Sequence, residues 1–195
     1  MSIDTGKTDQ TAANDAGRRM TLLIALVALG ALTRLIPHEA NFTSLGAVAL
    51  FAAFTLRGTW LAYLAPVAAL LLSDIGLSLT NENYAFGWIN LFVLGAFCLT
   101  VLGCRYLGSA TPVKIAGGAI GSSLVFFIVT NFGFWVTGLG GYPITFAGLV
   151  EAYIAGIPFF WKTLAGTAVY STILFGALKL AESAIPGVRA ETAAA

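Results

Sequence analysis

Metal-binding side chains are scarce in this chain, which has one histidine, His38, and two cysteines, Cys98 and Cys104. The cysteines lie six residues apart, a spacing that matches no short metal-ligand motif. They read as buried structural thiols, and no metal site is expected. Charge is equally sparse: 10% of the residues are charged, against about 25% in an ordinary soluble domain. With 10 basic and 9 acidic side chains, the chain lacks the concentrated positive charge of nucleic-acid binders. No phosphate-binding Gly-Lys-Ser/Thr loop, Gly-x-Ser-x-Gly elbow or His-Glu-x-x-His helix occurs. The chain therefore reads as neither an enzyme nor the holder of a cofactor. Any uphill transport would draw on an ion gradient or a separate protein.

What is abundant is apolar surface, since 58% of the residues are hydrophobic. A straight membrane-crossing helix needs about 20 residues to cover about 30 Å. Six segments are read as spans: Met20 to Ile36, Thr43 to Leu56, Trp60 to Leu77, Phe86 to Cys104, Val113 to Val136 and Pro158 to Ala181. The expected fold is all-α, a polytopic bundle of six transmembrane helices. The second segment is short by this measure, so it would borrow Asn41, Phe42 and Arg57 or cross where the membrane thins. Residues 1–19 read as a disordered cytoplasmic tail, 20–181 as the transmembrane domain and 182–195 as a flexible tail. Lys7, Arg18, Arg19, Arg57, Arg105, Lys114, Lys179 and Arg189 share the side of both termini, while Arg34 and Lys162 approach the other. The positive-inside tendency puts both termini in the cytoplasm.

Polar residues inside such segments are costly and usually face a cavity, a protein interior or one another. Asp74, Asn90 and Asn131 all fall toward the outer surface on this topology, which suggests a polar chamber opening outward. Asp74 is a candidate acceptor for a ligand or the partner of Arg34 at comparable depth, and one residue can do both. Asn90 and Asn131 supply donors and acceptors beside Trp88, Thr130 and Trp135, whose rings would cover an apolar ligand face; the alternative is an interfacial belt and helix-joining amides. Asn41 lies in the polar bridge Pro37 to Thr43, where Thr43 is placed to cap the second helix. His38 and Glu39 there read as a solvated turn or as a substrate contact. Phe146 to Ile157, with Glu151 in its middle, is apolar but too short to cross and is expected as a surface helix or a lid over the outer mouth. Gly117, Gly118 and Gly121 with Ser122 and Ser123 are expected to form one close-packing face.

The motifs Arg34-Leu35-Ile36-Pro37-His38, Asn41-Phe42-Thr43, Ser73-Asp74, Thr130-Asn131-Phe132 and Ile157-Pro158-Phe159-Phe160 resemble an uncharacterised bacterial family of six-helix membrane proteins. The similarity covers Arg34 to Leu180. That family in turn resembles the substrate-capture subunits of energy-coupling-factor vitamin transporters. The resemblance implies a multi-pass protein of the bacterial inner membrane that takes a small molecule, such as a vitamin-like compound, from the periplasmic side. It also implies an energising membrane complex as partner; Thr21 and Ala25 give a partial version of the Ala-x-x-x-Ala stripe by which capture subunits meet it. The alternative is a structural or assembly protein whose polar cluster staples helices and binds no small molecule.

Overall fold

The computed structural model describes residues 5–81 and 87–184. Among them the chain is all-helical: α1 (Thr5–Leu35), α2 (Leu45–Thr55), α3 (Leu61–Thr80), α4 (Ile89–Cys104), α5 (Pro112–Val136) and α6 (Phe146–Ala184), with a 3-10 turn at Arg105–Leu107. Phe86, read as the start of the fourth span, and the C-terminal residues from 185 lie outside the described residues. Five helices, all but α2, are long and apolar enough to cross a membrane, which makes this a multi-pass membrane protein.

The short second segment takes a different part from the one its length suggested. α2 touches each of the other five helices, and Leu45 and the run from Ala47 to Ala53 are buried. A helix that is hydrophobic all round belongs in an interior. Its neighbours, not lipid, cover α2, so it has no need of borrowed Asn41, Phe42 or Arg57. Its 11 residues rise about 16 Å, roughly half the depth of the hydrocarbon layer. The surrounding helices overshoot it at both ends and leave space there. At its N-terminal end is a cavity of about 300 Å³; at its C-terminal end is one of about 200 Å³ beside Arg57, Gly58 and Thr59.

Two further boundaries depart from expectation. Phe146 to Ile157 is no separate surface helix or lid; it is the first third of α6, which continues through Pro158. Proline removes one backbone donor, a loss that a membrane helix absorbs where neighbouring groups satisfy the freed carbonyl. α1 reaches back to Thr5, into the segment expected as a tail, and an Arg19–Asp15 ion pair one turn apart supports it at 3.1 Å.

The α1–α3 contact depends on close backbone approach. A β-carbon on Gly30 would stand 2.6 Å from that of Ala69 and 3.1 Å from Leu45 Cδ2, with Ala69 and Leu45 both buried. Replacing Gly30 with valine is expected to destabilise the bundle by about 1–3 kcal/mol through overpacking. The midpoint of thermal unfolding in detergent reads that loss; an unchanged midpoint would show that α1 and α3 slide apart freely.

Candidate functional site

Polar side chains of α1, α3 and α4 are joined in one hydrogen-bonded network. Asp74 is fully buried, and its Oδ1 accepts from Arg34 Nη1 at 2.5 Å while its Oδ2 accepts from Asn90 Nδ2 at 2.6 Å. Arg34 Nη1 also donates to Ser73 Oγ at 2.7 Å, and that hydroxyl donates to the Leu70 carbonyl at 2.8 Å. Both carboxylate oxygens are thus engaged by protein. The pairing of Asp74 with Arg34, one of the roles expected for it, is present. Neither Asp74 nor Asn90 lines a described cavity. An uncompensated charge in such a place costs far more than the pair gains, so the network ties three helices together at one level.

The space next to this network is polar for other reasons. The cavity above α2 is bounded by Arg34, Asn41, Thr43 and Thr167 and by Thr100, Ser122 and Ser123 of α4 and α5. Phe97 and Phe126 supply apolar walls, their rings 5.4 Å apart. Thr100 donates to the Ala96 carbonyl, Ser122 and Ser123 to that of Ala119, and Thr163 to that of Phe159. Each hydroxyl proton is spent on its own helix, so toward any further partner these four oxygens can act only as acceptors. A second cavity of about 450 Å³ lies between α4, α5 and α6 and shares Asn41, Val93 and Phe126 with the first.

The expected site residues divide accordingly. Asn41, Thr130 and Asn131 line the second cavity, and Asn41 also lines the first. Asn131 Nδ2 donates to the Phe127 carbonyl at 2.8 Å, and its amide packs where any side chain on Gly156 would collide with it. Trp88, Trp135 and Glu151 line no described cavity. Trp88 is 76% exposed because it precedes α4 at the bundle's rim, and Glu151 is exposed on α6. Trp135 donates its indole N–H to the Pro143 carbonyl at 2.9 Å and so braces the α5–α6 connection. Thr43 does not cap α2; Ser44 holds that position without a capping bond, its hydroxyl meeting that of Thr33 at 2.6 Å. On α5 the small residues split between two faces: Gly118, Ser122 and Ser123 are buried, whereas Gly117 and Gly121 are exposed.

Sequence reasoning missed Thr100, Thr163 and Thr167 as cavity residues, and took Ser122 and Ser123 for packing alone. A threonine or serine inside an apolar helix satisfies itself on its own backbone, so nothing in the sequence marks which way it faces. The charged pair at the mouth was also unforeseen. Lys162 Nζ donates to Glu39 Oε2 at 2.8 Å, joining α6 to the α1–α2 connection beside His38 and Thr163, which line the cavity. That hydrogen bond, reinforced by the charge of Lys162, holds the Glu39 carboxyl below the ordinary glutamate range. The attraction is present above the unfolded pKa and is lost as pH falls through the lowered one.

A family model described as a family of unknown function, DUF6580, matches residues 14–188. No curated protein and no solved structure matches the chain. The family match takes in α2, the charged network and both cavities, and the chain belongs to DUF6580.

Proposed function

We propose that this protein is a substrate-capture or uptake subunit of the bacterial inner membrane, taking a small molecule from the periplasmic side. On this reading α2 is the central sixth crossing and both termini are cytoplasmic, as the basic residues at one end of the bundle favour. The Arg34–Glu39 end then faces the periplasm. One observation carries the proposal: the bundle keeps a space of about 300 Å³ above α2, with polar side chains set among apolar walls and the second cavity at its border. Small-molecule sites typically occupy about 300–1,000 Å³, with a few placed polar groups among apolar walls. The resemblance to capture subunits of energy-coupling-factor vitamin transporters adds to it, with an energising membrane complex as the partner that would drive release. No catalytic role is assigned to any residue.

Native mass spectrometry of gently solubilised protein tests the proposal. A reproducible small mass retained by the wild-type protein supports capture. A stable protein partner with no small mass supports an assembly role instead, a reading favoured by the full engagement of Asp74.

The ion pair at the mouth gives a further expected result. Glu39→Gln leaves the unfolding midpoint almost unchanged, because a solvent-exposed ion pair adds little to stability. Release of the retained mass becomes faster, since the α1–α2 connection is no longer tethered to α6. Equal release rates in the two proteins would remove Glu39 and Lys162 from any gating role.

A further inference from the structure

The first turn of α2 ends blind at the cavity floor. Val48 is the first residue of the helix whose N–H finds a carbonyl, that of Ser44 at 2.8 Å. The Ser44 side chain makes no cap. The N–H groups of Leu45, Gly46 and Ala47 therefore meet no acceptor among the described residues. Helix ends are ordinarily capped by side chains or water, and a buried end without a partner is unusual. Leu45 is 2% and Ala47 0% exposed, while Leu45 and Gly46 line the cavity.

A second, independent observation concerns Thr167. It is 1% exposed, lines the same cavity, and its hydroxyl makes no hydrogen bond among the described residues. It stands directly against Gly46, where a β-carbon would strike its Oγ1. A hydroxyl free to donate is thus placed beside uncapped amides of a helix N-terminus. The positive end of a helix dipole favours negative charge, and aligned N–H groups bind carboxylate or phosphate oxygens. Arg34 lies on the same wall, with its charge matched by Asp74.

We infer that the N-terminus of α2 with Thr167 is a seat for the carboxylate of the captured compound. The opposite walls define the rest of the molecule. Thr100 of α4 with Ser122 and Ser123 of α5 offer acceptors, and Phe97 and Phe126 offer apolar faces. The ligand class is a small carboxylic acid with an apolar middle and hydroxyl or N–H donors at its far end. This inference rests on the capture reading and specifies its substrate.

A charge series on one scaffold tests it: 4-hydroxyphenylacetate, 4-hydroxyphenylacetamide and tyramine, titrated against the protein in detergent by isothermal titration calorimetry. The carboxylate is expected to bind at least about tenfold more tightly than the amide, with tyramine weakest. Thr167→Val removes the hydroxyl at nearly constant volume and should lower carboxylate affinity about tenfold, while Thr167→Ser restores it and both variants keep the wild-type unfolding midpoint. Tyramine binding as well as the carboxylate, or an undiminished carboxylate affinity in Thr167→Val, overturns the seat and leaves capture standing. Failure of all three probes, with no small mass retained by the purified protein, overturns capture itself.

Discussion

Replacing Asp74 with alanine is expected to cost the protein its fold before it costs any ligand. The substitution removes the carboxylate that pairs with Arg34, whose side chain is only 17% exposed, and the acceptor of Asn90 as well. Breaking one side of a buried ion pair is typically destabilising by about 3–5 kcal/mol, whereas replacing both partners with apolar groups is often neutral. Asp74→Ala should therefore aggregate or unfold at markedly lower temperature in detergent. The double variant Arg34→Leu with Asp74→Leu should recover most of the loss. Size-exclusion profiles and unfolding midpoints of the two proteins give the comparison. A well-folded Asp74→Ala protein that has lost only its retained small mass would return Asp74 to the binding site and sink the stapling role.

The second large effect is expected on binding alone. Thr163 is half-buried at the cavity wall, next to the exposed Lys162–Glu39 pair. A tryptophan there has an open side from which to enter the cavity and occupy it. Thr163→Trp should reduce retention of the captured compound at least about tenfold, or 1.4 kcal/mol, with the unfolding midpoint held close to that of the wild type. Native mass spectra of both proteins, purified side by side, measure the change. Undiminished retention would place the ligand elsewhere, with the second cavity beside Asn131 the next to block.

These two outcomes separate residues that looked alike in the sequence. Asp74 and Asn131 both stood out as polar groups inside apolar helices, which hydrocarbon penalises wherever they point. Their expense was legible; its purpose was not. Asp74 found Arg34 across 40 residues of chain, a pairing that matched depth made foreseeable. Asn131 satisfied one donor on its own helix and remained beside a cavity. Trp88 and Trp135 line no described cavity, and such rings suit a ligand wall, an interface or a loop brace equally. Glu151 was singled out from a segment expected to be a surface helix or a lid, and it lost that setting once the segment proved to be the start of α6.

The sequence by itself determined that the chain is helical and built for lipid, and it offered Arg34 as a partner for Asp74; the starts of α1 and α6 lay well outside the expected spans. Only the tertiary structure decided that the second helix is the hub, that its shortness makes the cavity, and which hydroxyls line it. In soluble proteins the contrast between wet and dry faces writes each helix's orientation into the sequence. In a membrane, lipid and protein interior are about equally apolar, so that contrast is absent and the inward face is set by fit between neighbouring helices.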